Sequence, residues 1–163
     1  MKKLLLICLL ITVTSNLFAQ NLPAFDEIKL DKDADYQKAD SAVLQAANFI
    51  LSTPIDQNTA LRQKAAHFVI KWMQGTPYHT FSLEQNAIQY LSDNVDLMFV
   101  YMSAMAKDAL QNQSDDLRAV TINGVKILLV YVNNPANNVK KDKNLKKLSE
   151  ENDKGNLENF LNL

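Results

Sequence analysis

Apolar residues recur every three or four positions along the first half of the chain, and this spacing predicts two helices. The first is predicted over residues 35–51 and ends before Pro54, because a residue preceding proline is pushed out of the helical region. The second is predicted over residues 58–74 and is ended by Gly75. Both segments carry adjacent alanines, which allow close approach of two backbones, so we expect an antiparallel hairpin.

The second half of the chain contains two segments that are apolar on nearly every side. After a short helix that ends near Leu91, long helices are predicted over residues 93–111 and 115–132. A helix that is apolar all round belongs at the centre of a bundle. Gly124 lies inside the second long helix, where glycine is unfavourable, and it therefore predicts close contact with a neighbouring helix.

The tail, residues 137–163, is polar and predicts a short helix followed by a final turn. It contains the chain's one basic cluster, with five lysines within residues 140–147. Glu151 follows Lys147 by four positions, a spacing typical of an ion pair on a solvated helix face. The alternative use of such a cluster is contact with anionic lipid headgroups or polyanions.

The first nineteen residues have the three-part layout of a secretory signal. Two lysines precede an apolar run from Leu4 to Val13, and a short polar stretch then ends at Ala19. This layout predicts a signal peptide over residues 1–19, cleaved after Ala19. The apolar run of about ten residues is too short to span a bilayer as a helix. We therefore expect export to the periplasm or the extracellular space, without a transmembrane span.

Residues 20–34 separate the predicted leader from the first helix. They contain Pro23 and four acidic residues, and their apolar positions follow no period, which predicts an acidic extended arm. The helical domain then covers residues 35–163. The predicted fold class is all-α, as a single-domain bundle of about five or six helices.

Composition narrows the function classes. The chain has 163 residues, 47% of them hydrophobic, and its 17 basic residues nearly balance 18 acidic ones, for a net charge of −1. This length suits one domain, and the charge balance argues against a nucleic-acid-binding protein. The single cysteine, Cys8, lies inside the predicted leader, so the mature chain is free of cysteine and suits an oxidising compartment.

The residues with the best candidate chemistry gather around the one long non-helical connection, residues 75–83. Aromatic side chains near this connection are able to grip a partner. Methionines spaced along one side of the following long helix would suit a surface that adapts to apolar or peptide ligands. The candidate ligand- or partner-binding residues are Trp72, Tyr78, His79, Phe81, Met98 and Met102.

These features favour an exported, non-enzymatic helical module that binds another exported or envelope protein, or a small apolar or peptide ligand. One alternative is an exported hydrolase-like enzyme in which His79 acts as base on Ser82 or Thr80, with Glu84 as the carboxylate. Another alternative is a structural or stress-related protein of the cell envelope. The sequence contains no recognisable catalytic motif and no spacing of residues typical of a metal site, so we expect neither a cofactor nor a metal.

Overall fold

The computed structural model describes residues 22–91 and 94–163. This part of the chain is a single domain that contains helices and no strand, which confirms the all-α class. The predicted signal peptide lies outside the described residues. The α-helices are α1 (Asp33–Ser52), α2 (Thr59–Gly75), α3 (Gln85–Ile88), α4 (Val95–Asn112), α5 (Leu117–Asn133), α6 (Lys143–Asp153) and α7 (Leu157–Leu161). These seven helices exceed the five or six expected, because the tail forms two separate helices.

Helices α1 and α2 form the antiparallel hairpin that the sequence predicts. Near the start of α1, the carbonyl of Tyr36 accepts a hydrogen bond of 3.1 Å from the indole of Trp72, near the end of α2. Near the other end of α1, the carbonyl of Ile50 accepts a bond of 2.8 Å from Arg62, close to the start of α2. The adjacent alanines of both helices are buried, as close backbone packing requires: Ala46, Ala47, Ala65 and Ala66.

Helix α4 occupies the centre of the bundle and packs against α1, α2 and α5. Its inward side chains include Tyr101 and Met105, which are fully buried. The predicted close contact at Gly124 of α5 is confirmed: a β-carbon there would lie 2.7 Å from Cγ of Met105 and 3.2 Å from Cε2 of Tyr101. The lack of a side chain at Gly124 thus sets the distance between the two central helices.

A buried arginine of α2 joins that helix to the end of α1. The Arg62 guanidinium donates to the carbonyl of Ile50 at 2.8 Å and to that of Thr53 at 2.7 Å. These carbonyls lie at the C-terminal end of α1, where backbone acceptors lack helical partners. The Tyr131 hydroxyl also donates to the Thr53 carbonyl, at 2.8 Å, so three elements meet at one acceptor.

The acidic segment before α1 has little regular structure, but its apolar side chains enter the core. A short 3-10 turn, Phe25–Glu27, places the Phe25 ring 5.3 Å from that of Phe68. Phe25 and Leu30 are both 5% exposed. Asp26 and Lys64 form an ion pair of 2.8 Å at the surface. The described part of the segment is thus held on the bundle mainly by two buried apolar residues.

Candidate functional site

The segment between α2 and α3, residues 76–84, adopts neither helix nor strand. Tyr78, Thr80 and Leu83 are exposed, whereas His79 and Phe81 are partly buried. From Tyr78 to Phe81, exposed and partly buried side chains alternate, as they do where successive side chains point to opposite sides of an extended chain. The segment therefore presents one set of side chains to solvent and uses the other to attach itself to the bundle.

Trp72 forms the base on which the segment rests. Its indole N–H donates to the Tyr36 carbonyl at 3.1 Å and to Oδ1 of Asp40 at 3.2 Å. Its ring centroid lies 5.7 Å from that of His79 and 5.8 Å from that of Phe81. Trp72 is fully buried, so its role is to support the rings of His79 and Phe81. Contact with a ligand is left to the more exposed residues of the segment.

His79 faces the connection between α4 and α5. Its Nδ1 lies 3.6 Å from Oδ1 of Asp115, and its side chain is only 13% exposed, against 80% for Asp115. Burial raises the pKa of Asp40, while the hydrogen bond from Trp72 and the electrostatic interaction with His79 oppose that rise. His79 therefore lies in the field of two carboxylates, from α1 and from the α4–α5 connection.

Asp115 is available for this contact because its neighbour caps α5. The carboxylate of Asp116 accepts hydrogen bonds from the backbone amides of Arg118 and Ala119, at 3.0 and 3.2 Å. Those amides are among the free donors at the start of a helix. With the cap supplied by Asp116, the Asp115 side chain is left facing His79.

The hydrogen bonds around Ser82 differ from those expected for a hydrolase. The Ser82 hydroxyl donates to Oε1 of Glu84 at 2.7 Å. The carboxylate that pairs with His79 is Asp115 and not Glu84. The hydrolase hypothesis requires His79 to take the proton of a nearby hydroxyl, and the contact made by Ser82 does not supply that arrangement.

The structure brings together three of the six predicted residues, namely Trp72, His79 and Phe81. Tyr78 is exposed beside them, at 45%. Met98 and Met102 are half-buried on α4 and pack against the hydrophobic core.

Three exposed apolar side chains lie within four residues of His79 or Asp115 along the chain. Tyr78 is 45% exposed, Leu83 is 42% exposed, and Leu117, two residues after Asp115, is 38% exposed. We name Tyr78, Leu83 and Leu117 the loop surface. They come from two segments that are distant in sequence and that the His79–Asp115 contact brings together.

Sequence reasoning missed Asp40, Asp115 and Leu117. Asp40 lies four positions after Tyr36, on the same side of α1. This spacing places both residues near the indole of Trp72. The sequence indicates Asp115 only weakly. Two consecutive aspartates precede α5, and because one of them is enough to cap the helix, the other is available for a different contact. The position of Leu117 relative to the loop depends on the tertiary contact between His79 and Asp115, which no local pattern encodes.

Comparison of the chain with protein-family models, curated proteins and solved structures finds no match. Among residues 22–91 and 94–163, no group of three or more His, Cys, Asp or Glu side chains is arranged to hold a metal ion. None of the helices described combines the length and the hydrophobicity needed to cross a bilayer.

Proposed function

We propose that this chain is an exported, non-enzymatic helical module that binds a partner protein through the loop surface. The observation that carries the proposal is the contact of 3.6 Å between His79 and Asp115, which joins two segments that both display exposed apolar side chains. Tyrosine is among the residue types that contribute most to protein interfaces, and the exposed leucines add apolar area to the same surface.

The attachment of the segment also favours binding. A flexible loop loses conformational freedom when it binds, and that loss weakens the complex. Here the rings of His79 and Phe81 already pack on Trp72, and Ser82 is bonded to Glu84 at 2.7 Å. The part of the segment between Tyr78 and Leu83 is thus anchored to the bundle before a partner arrives.

The start of the segment is fixed by a close approach of α1. A β-carbon at Gly75 would overlap the hydroxyl of Tyr36, so glycine is needed for the tyrosine ring to cross the end of α2 at this point. The contact lies at the last residue of α2, three positions before Tyr78.

Export is supported by the amino-acid pattern of residues 1–19, with its basic start, apolar run and small residue at position 19. The absence of cysteine after position 8 is compatible with an oxidising compartment. The partner is accordingly expected to be another exported or envelope protein.

Site-specific photocrosslinking in the producing cells tests this proposal. A photoreactive phenylalanine analogue replaces Tyr78, Leu83 or Leu117 in separate variants. The control position is Leu61, which is as exposed as Leu117 at 38%. Leu61 lies at the opposite end of α2, about 20 Å from Gly75 at the rise of an α-helix.

We expect one adduct of the same mass from all three loop-surface positions and none from position 61. Excess unlabelled protein should suppress the adduct, whereas excess Y78D/L83D protein should not. The absence of any adduct, or an equal yield from position 61, contradicts the proposal. An adduct of twice the chain's mass would identify a second copy as the partner and would also contradict it.

A further inference from the structure

The outer side of α6 and the residues before it carry a concentration of positive charge that the loop surface does not explain. Five exposed lysines lie within eight residues, and we name them the lysine face: Lys140, Lys141, Lys143, Lys146 and Lys147. An open recess of about 520 Å³ runs along this side and is lined by four of these lysines together with Asp142, Glu150 and Glu151.

The ion pair expected between Lys147 and Glu151 is not formed. Glu151 instead accepts hydrogen bonds of 2.8 Å from Lys154 and from Asn156. The Lys147 ammonium lies 5.0 Å from the ring centroid of Phe160. Lys141 donates a hydrogen bond of 2.9 Å to Oδ1 of Asn133, which is an uncharged acceptor and leaves the charge of the lysine in place.

Most of the positive charge of the molecule's basic side is concentrated in one short segment, and Glu150 and Glu151 border it in the same recess. Residues 140–147 hold five lysines and one aspartate, whereas the remainder of residues 20–163 holds ten basic and seventeen acidic residues. A local excess of this kind on an acidic molecule attracts anions to one side of the protein while the rest of its surface repels them.

From this geometry we infer that the lysine face binds the surface of a membrane rich in anionic phospholipid. A planar array of phosphates suits a row of lysines along one exposed helix side, and clusters of four to eight lysines are typical of such binding. Residues 140–147 include no aromatic side chain, and the nearby ring of Phe160 is already in contact with Lys147 and Tyr90, which disfavours stacking of nucleic-acid bases there.

The mode of binding follows from the other side of α6. Leu145 and Leu148, which would insert into lipid if they were free, are 2% and 0% exposed within the bundle. The protein can therefore approach the membrane only through charge, without inserting apolar side chains. Such binding is reversible and is weakened by salt.

Vesicle sedimentation of the chain spanning residues 20–163 tests the inference. Vesicles of phosphatidylcholine with about 30% phosphatidylglycerol are compared with pure phosphatidylcholine vesicles, at about 0.1 M and about 0.5 M salt. The test variant is K140Q/K143Q/K146Q. The control variant K38Q/K71Q/K126Q removes the same charge from exposed lysines elsewhere. Thermal unfolding by circular dichroism verifies that both variants fold.

We expect binding only to the anionic vesicles, loss of that binding at the higher salt concentration, and a decrease of about 100-fold in the partition coefficient of K140Q/K143Q/K146Q. The control variant should keep its partition coefficient within about threefold of the original. Equal binding by the test variant, an equal loss in the control, or no binding to anionic vesicles at low salt would each overturn the inference. Binding to soluble polyphosphate without binding to vesicles would also overturn it.

Discussion

At the scale of single residues, Gly124 holds α4 and α5 at their observed separation. Alanine favours a helix over glycine by about 1 kcal/mol. The new methyl group would nevertheless lie 2.7 Å from Cγ of Met105, which is fully buried and has no room to move. We expect Gly124→Ala to lower the free energy of unfolding by about 1–2 kcal/mol, as measured by urea denaturation.

The companion experiment repeats Gly124→Ala in a Met105→Ala background. Removal of the methionine side chain opens the space that the new methyl group needs. In that background Gly124→Ala should be neutral or stabilising, because only the gain in helix propensity remains. A stabilising effect of Gly124→Ala in the unaltered protein would contradict the close packing described.

The second prediction at this scale concerns Tyr101 and alkaline pH. Burial raises the pKa of Tyr101 to about 12. Between pH 10 and 12 the unfolded chain therefore loses the phenol proton while the folded chain keeps it, so stability decreases as pH rises through this range. The loss amounts to at most about 3 kcal/mol.

Urea denaturation at several pH values from 9 to 12 measures this effect. Tyr101→Phe should reduce the decrease in stability above pH 10. Part of the slope should persist in Tyr101→Phe, because burial also raises the pKa of Tyr131.

At the scale of elements, the segment before α1 depends on apolar burial more than on charge. Phe25 is 5% exposed and stacks on Phe68, so Phe25→Ala should cost about 3–4 kcal/mol of unfolding free energy. Asp26 and Lys64 are more than half exposed, so Asp26→Asn should cost less than about 1 kcal/mol. Urea denaturation compares the two variants, and a larger cost for Asp26→Asn would contradict this attachment.

Residues 76–84 are likewise attached to the bundle by two kinds of contact, one between aromatic rings and one between charged groups. The largely buried His79 ring packs on Trp72, whereas its partner Asp115 is 80% exposed. Hydrogen exchange read by mass spectrometry should show exchange in residues 78–84 accelerated more than about tenfold by His79→Ala. Asp115→Asn should accelerate it by less than about fivefold. The reverse order would show that charge holds the segment.

What the sequence predicts correctly at this scale is local in origin. The spacing of apolar residues recurs within each helix, so α1, α2, α4 and α5 were predicted with their ends within about two residues. The approach of Asp115 to His79 and the burial of Arg62 depend on tertiary contacts between segments far apart in sequence. The ring contacts around Trp72 could be predicted in part. The residues that form them are close in sequence, but how the rings pack depends on the path of the loop.

At the scale of the whole molecule, the fold is compatible with removal of the proposed leader. Cleavage after Ala19 would leave five residues before Phe25, the first fully packed apolar residue of the described chain. The core begins after the proposed cleavage site, so the processed chain retains every buried side chain described. We therefore expect the chain spanning residues 20–163 to unfold at the same temperature as the purified full-length precursor.

Expression of the full-length chain in a bacterial host tests the leader itself. If residues 1–19 direct export, the protein in the osmotic-shock fraction should have the mass of residues 20–163. Leu9→Arg places a charge in the apolar run and should retain an uncleaved precursor in the cytosol. The control substitution Leu61→Arg changes an exposed residue of the folded domain and should leave export and processing intact. An uncleaved cytosolic product from the unaltered chain would remove the basis for seeking the partner among exported proteins, while the packing of the bundle would stand.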